Sequence, residues 1–156
     1  MSKLIRRYIN SPQGIKRLLN WYRPYRGAAI KVTAISDDFT YARVEMRQRW
    51  YNTNYVGTHF GGSLYSMVDP MFMLLLMRQL GHGYIVWDKS AEINFKRPGR
   101  GTVYAEFEVS KAQAEEIKAA ADRGEKVLPT WQVNVCDSAG KVVAKVDKTL
   151  YVKKKD

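Results

Sequence analysis

Over residues 64–80 the chain reads Leu-Tyr-Ser-Met-Val-Asp-Pro-Met-Phe-Met-Leu-Leu-Leu-Met-Arg-Gln-Leu, and nearly every side of a helix wound from it would be apolar. Such a helix must be enclosed on all sides. Its longest unbroken apolar run is residues 71–77, far short of the roughly 20 residues that a bilayer span needs. The enclosure therefore comes from protein. Alternating, strand-like segments lie on both sides of it, which predicts a central helix wrapped by a sheet. One carboxylate, Asp69, stands in the middle, and an ionisable group there is costly unless it is paired or used. A polar, glycine-rich loop, residues 54–62, leads into the helix.

The 156 residues are long enough for one core. With 46% hydrophobic and 26% charged residues the chain reads as globular rather than disordered. A single cysteine, Cys136, excludes an intramolecular disulfide framework and a cysteine-only zinc site, and its strand-like setting suits a small packed residue. The first residues lack the apolar run of a secretion signal, so a cytoplasmic protein is expected. The net charge of +11 is concentrated at the start: residues 1–26 hold seven Lys or Arg and no acid. A smaller cluster is Lys153, Lys154 and Lys155. Basic patches attract the phosphates of nucleic acid, anionic lipid or a nucleotide cofactor, and they equally serve as plain solvated surface.

The chain divides into a basic helical extension, residues 1–27, and a main domain, residues 28–156. Residues 2–9 could begin a short helix, with Leu4, Ile5, Tyr8 and Ile9 on one side. A clearer start follows, with Ser11 as N-cap and Pro12 at the first helical position. Ile15, Leu18, Leu19 and Tyr22 then form an apolar stripe, closed by Pro24 and Gly27. Such a helix either docks on the core or lies on a membrane surface. Period-two segments follow: Ile30, Val32 and Ala34, then Ala42, Val44 and Met46 after an Asp37-Asp38 turn. Gly81-His82-Gly83 ends the central helix, His82 being a cap residue. Further strands are expected at 91–95, 103–109, 131–135 and 142–152, with a surface helix over 111–123 and a hairpin turn at 137–140. The sum is an α+β fold, a mostly antiparallel sheet packed on one apolar helix.

The local sequences carry a family likeness. Asn54, Gly57, His59, Gly61, Gly62 and Asp69 resemble the N-x-x-G-x-x-H-G-G…D pattern of the hotdog acyl-CoA thioesterases, especially the phenylacetate-pathway type. Ile93-Asn94-Phe95-Lys96-Arg97-Pro98 with Gly101 resembles the F-x-R-P…G segment of that family. Asp137, Gly140 and Ala144 fall in a stretch similar to its hairpin. The likeness spans about residues 28–152. Two departures stand out: Phe60 is inserted between His59 and the glycine pair, and Pro70 directly follows Asp69. Proline biases its predecessor away from helical angles, so a kink is expected there. Uncharacterised hotdog subgroups share such changes.

The resemblance implies a hotdog fold and hydrolysis of an acyl thioester, with coenzyme A as part of the substrate and no cofactor. It also implies a homodimer, with a tetramer as a further step, and an active site whose loop and acid come from different subunits. Asp69 would be the general base or nucleophile. Otherwise it is a carboxylate bonded to a backbone N–H or to an Arg such as Arg78. The Gly61 and Gly62 amides would stabilise the developing oxyanion, or serve only a tight loop-to-helix turn. Asn54 and His59 would orient substrate or water, although a loop histidine is also an ordinary surface residue. Lys96, Arg97 and Arg100 would meet the phosphates of coenzyme A, or form a solvated turn. An acyl tunnel would be lined by Met67, Met71, Phe72 and Trp87, residues that suit a plain core as well. The two histidines are too far apart in sequence to suggest a metal site. Two other readings stay open. One is a non-catalytic acyl or lipid binder, favoured by Phe60 and Pro70. The other is a basic nucleic-acid or membrane-surface module led by residues 1–26, which lacks the aromatic patterns of RNA readers.

Overall fold

The computed structural model describes residues 10–155; the short helix expected over residues 2–9 lies outside them. Helices α1 (Pro12–Trp21) and α2 (Arg23–Gly27) lead into strands β1 (Ile30–Ile35) and β2 (Tyr41–Arg47). A short 3-10 turn, Trp50–Asn52, opens the glycine loop. Helices α3 (Gly61–Ser66) and α4 (Met71–Leu80) follow. The chain ends with β3 (Tyr84–Phe95), β4 (Thr102–Glu108), α5 (Lys111–Asp122), β5 (Thr130–Asp137) and β6 (Val142–Lys154). The six strands form one antiparallel sheet in the order β1-β2-β4-β5-β6-β3. This is the α+β arrangement of a hotdog, an antiparallel sheet around a central helical rod.

The core follows from the alternation. Val44, Ala105, Phe107, Val133 and Val135 are buried on one face of the sheet. Met71, Phe72, Leu75 and Leu76 of α4 pack into it, also buried. The Phe72 ring lies edge-on to Phe107 at 5.2 Å and stacks on Trp131 at 5.5 Å. Such aromatic pairs add to the burial of their area.

The rod is not continuous. Pro70 has no N–H to give and disfavours helical geometry before it, so α3 stops at Ser66 and α4 restarts at Met71. The N–H groups of Val68 and Asp69 both turn back to the Tyr65 carbonyl, at 2.9 and 3.0 Å. Asp69 thus sits at a joint rather than on a helix flank. The strand expected at Ala91 begins earlier, at Tyr84. Residues 84–87 are a continuous apolar run, and alternation appears only beyond them. A register shift between Asp88 and Ser90 further breaks the pattern.

The two sheet edges differ. At β1 the Asn20 side chain from α1 bonds both the Val32 N–H (2.8 Å) and the Val32 carbonyl (3.1 Å), covering the edge. As expected, Ser11 caps α1, accepting from the Gly14 N–H at 3.1 Å. Pro24 does not end helical structure but opens the five-residue α2, whose Tyr25 is buried in the core. At β3 the edge is open among the described residues, and residues 87–92 are all exposed.

The junction before the glycine loop hangs on Asn52, which is 2% exposed. Its amide donates to the Ala28 and Arg47 carbonyls at 2.7 and 2.8 Å and accepts from the Arg49 N–H at 2.7 Å. Asn52→Leu leaves the buried Ala28 carbonyl and two part-buried backbone groups, the Arg47 carbonyl and the Arg49 N–H, without this partner, so a loss of about 1–3 kcal/mol is expected in urea unfolding. A loss below about 0.5 kcal/mol would contradict this anchoring role.

Candidate active site

The glycine loop is built by its own polar side chains. Asn54 accepts from the N–H groups of Val56 (3.2 Å) and Thr58 (3.0 Å) and donates to the Thr58 hydroxyl (2.9 Å) and the His59 carbonyl (3.3 Å). An amide used this fully shapes the loop. Gly57 takes a positive φ of 77°, and its carbonyl accepts from Gln48 at 3.1 Å and from Arg100 at 2.8 Å. Arg100 therefore braces the loop.

His59 is a wall residue. It is 2% exposed, its Nε2 lies 2.9 Å from the Gly101 carbonyl, and its backbone N–H donates to the Gly99 carbonyl at 2.9 Å. A carbonyl only accepts, so the ring carries its proton on Nε2 and leaves Nδ1 buried without a partner among the described residues. Gly99 is required in this contact, because a Cβ would come within 2.9 Å of Val143 and 3.4 Å of His59. The loop and the 98–101 turn hold each other.

Between them lies a cleft of about 530 Å³. It is lined by Asn54, Thr58, His59, Gly61, Leu64, Phe95, Lys96 and Arg97 among others. It gathers five of the residues that sequence reasoning singled out: Asn54, His59, Gly61, Lys96 and Arg97. Gly62 and Arg100 lie outside its lining. Lys96 and Arg97 are exposed and have no acidic partner among the described residues. The Gly61 and Gly62 N–H groups meet no acceptor among the described residues. Gly61 lies against the Phe95 ring, where a Cβ would sit 2.9 Å from Cζ, and the Phe60 ring covers Gly62.

Asp69 belongs to a second cluster. The Lys148 ammonium is fully buried and donates to the Tyr65 hydroxyl at 2.7 Å and to Asp69 Oδ1 at 2.9 Å, with Asp88 Oδ2 at 3.1 Å. The carboxylate side chains stay open, 47% exposed for Asp69 and 32% for Asp88. Burial works against the Lys148 charge, but its three hydrogen bonds outweigh that and raise its pKa. Arg78, considered as a partner for Asp69, instead bonds Asn10 Oδ1 at 2.7 Å and sits over Phe39. Sequence reasoning missed Tyr65, Asp88 and Lys148. A signal existed: Lys148 falls on the buried phase of β6, in line with Ala144, Val146, Leu150 and Val152.

The two clusters are apart in one chain. Asp69 stands seven positions after Gly62, beyond the end of α3, and does not line the Gly61 cleft. The expected tunnel residues also divide: Met67, Met71 and Phe72 fill the core at 0–2% exposure, whereas Trp87 is 57% exposed on β3. Among the described residues no group of three or more His, Cys, Asp or Glu gathers as a metal site, and no helix is long and apolar enough to cross a membrane.

The burial of His59 lowers its pKa, against a weaker upward pull from the Gly101 carbonyl. The unfolded chain then binds a proton that the folded one refuses, and stability falls as pH drops below about 6.5. Stability in urea unfolding is therefore expected to fall between pH 7.5 and 5.5. His59→Gln keeps a donor for Gly101 and cannot titrate, so its slope should be shallower; equal slopes would contradict the assignment.

Comparison with known proteins bears on the fold. The Pseudomonas aeruginosa protein PA5026, of unknown function and described as a probable thioesterase, is 16% identical, with a TM-score of 0.78 over 99% of this chain and 97% of its own. Thioesterase HI1161 of Haemophilus influenzae is 16% identical, with a TM-score of 0.68 over 92% and 91%. The Escherichia coli PaaI protein of the phenylacetic acid degradation operon is 18% identical, with a TM-score of 0.65 over 92% of each chain. A search of curated proteins finds no match. At these identities the likeness establishes the hotdog fold. Residues 13–152 match the profile of a domain of unknown function, and the chain belongs to that family, DUF4442.

Proposed function

We propose that the protein is a thioesterase-like hydrolase acting on a fatty or aryl acyl thioester of coenzyme A, in the cytoplasm, at a site completed by a second copy. The observation that carries this reading is Asp69, anchored through Oδ1 by a buried ammonium yet half open to solvent. A positioned, accessible carboxylate is what a general base or nucleophile requires. Solved hotdog proteins of similar shape include one named as a thioesterase and one as a probable thioesterase.

The open edge of β3 supports the second copy. Antiparallel pairing of β3 with its twin, centred near Ala91, sets Phe95 of one copy opposite Trp87 of the other. That brings the Asp69–Asp88–Lys148 cluster of one subunit toward the Gly61 cleft of its partner. Trp87 and Phe95, each 57% exposed, would then be covered.

In this reading Lys96 and Arg97 hold the phosphates of coenzyme A. Arg100, Asn54 and His59 keep the loop in shape. The carbonyl oxygen meets the Gly61 and Gly62 amides. Asp69 takes a proton from water, whose oxygen adds to the carbonyl carbon. The carbon–sulfur bond then breaks, and the thiolate leaves and is reprotonated. Each amide donor is worth about 2.7–4 kcal/mol on such an oxyanion. Binding without turnover is the second reading, and the Phe60 ring over Gly62 favours it by crowding those amides.

Over a panel of acyl-CoA substrates, the parent protein should hydrolyse at least one, and Asp69→Asn should lower kcat by about 10²–10⁴-fold. An unimpaired Asn variant ends the hydrolase reading, and absence of any cleavage leaves the binder. Sedimentation should give a dimer, and Trp87→Glu, which in this pairing sets a carboxylate against the apolar ring of the partner's Phe95, should give monomers with hydrolysis lost. A fully active monomer would contradict the shared site.

A further inference from the structure

Helices α1 and α4 do not close on each other. Helix α4 turns Met71, Phe72, Leu75 and Leu76 to the sheet. Its other face carries Met73, Leu74 and Met77, preceded by Pro70, and faces α1. Helix α1 answers with Ile15, Leu18 and Leu19. Only Ile15 of these three is buried; Leu18 is 53% exposed, and Met77 across from it is 44% exposed. A cavity of about 510 Å³ separates the helices, a size that suits one small molecule.

The cavity is polarised along its length. Towards Pro70 its described lining is apolar. At the C-terminal end of α4 it meets Arg78, His82 and Lys155, and no Asp or Glu contributes to the described lining. Arg78 spends one nitrogen, Nη2, on Asn10. Lys155 is exposed and reaches the His82 carbonyl at 2.8 Å. These cations sit where the helix end already favours positive charge, and Arg78 keeps further N–H donors for a carboxylate. The surrounding charge is also positive, as residues 10–27 contain no acid.

We propose that this groove is a binding site for one long-chain carboxylate. The tail lies between α1 and α4, and the head group meets Arg78 and Lys155. An apolar trough with one cationic end selects an ionised head and a single alkyl tail; a flat helix face or a second protein copy has no use for that polarity. The site is separate from the Gly61 cleft and does not rest on catalysis by Asp69.

The test uses the full chain and three probes with the same tail: dodecanoate, dodecanol and dodecyltrimethylammonium, each kept below its micellar concentration in calorimetric titrations. None carries a thioester, so the readout is independent of hydrolysis. The expected result is saturable binding of one equivalent of dodecanoate, with dodecanol weaker and the ammonium not bound. Leu74→Trp, which fills the trough, should abolish binding. Arg78→Gln should weaken dodecanoate by about tenfold, the scale of one charged hydrogen bond, and leave dodecanol unchanged. Leu18→Glu, on the exposed side of α1, gives the same loss without touching the core, should Leu74→Trp fail to fold. Absence of saturable binding overturns the proposal, as does equal affinity for the cationic probe or indifference to Leu74→Trp and Leu18→Glu. Binding that emerges only after deletion of residues 1–9 would assign the groove to the chain's own first residues, and would overturn it too.

Discussion

A fully buried lysine ammonium holds the three parts of this fold in register. Lys148 reaches from the inner face of β6 to Tyr65 at the end of α3, to Asp69 at the helical joint and to Asp88 on the open edge strand. Charge taken out of water is expensive, and it is tolerated only where hydrogen bonds and opposite charges replace the lost hydration. Here all three N–H donors are used. The joint of the central rod is thereby tied to the sheet at one point, and the carboxylate of Asp69 faces a fixed counter-charge.

The break in the rod gives that tie its purpose. In an unbroken helix residue 69 would be one of a continuous apolar surface. Pro70 ends α3 early, and the turn that results lifts Asp69 to a half-exposed position while Met67 and Val68 stay buried. The bulge in β3 brings the Asp88 carboxylate to the same ammonium from the edge strand. Downstream of the break, α4 places one apolar face on the sheet and leaves the other toward α1. The same proline thus separates a polar cluster at the edge from an apolar trough behind it.

Much of this was legible in the chain itself, because period-two alternation and an all-round apolar helix leave few ways to fold. Val103, Ala105 and Phe107 against Tyr104 and Glu106 announce a one-sided strand, and Ser11-Pro12 announces a helix start. The joint at Pro70 was legible too, since proline acts on its own neighbours. The contacts that decide the site were not. The phase of Lys148 in β6 marks it as inward-facing but does not name its partners, and its 79-residue separation from Asp69 is closed only by the sheet. Asn54 and His59 show the opposite difficulty. Their sequence context matches a catalytic loop, yet the Asn54 amide is taken up within the loop and His59 Nε2 by the Gly101 carbonyl, which no local pattern reveals. The extent of β3 was missed because its first residues are apolar without alternating.

The idea that joins the two clusters is a site shared between subunits, and complementation addresses it most directly. Gly61→Val drives a side chain into Phe95 and spoils the cleft, whereas Asp69→Asn spoils the acid. Each variant alone should be inactive. Co-expressed, they form mixed dimers in which one of the two sites regains both halves. With random pairing, hydrolysis should return to about a quarter of the parent rate, as two-fold symmetry requires. Mixed dimers as inactive as either variant would show that the acid and the cleft do not meet across the interface.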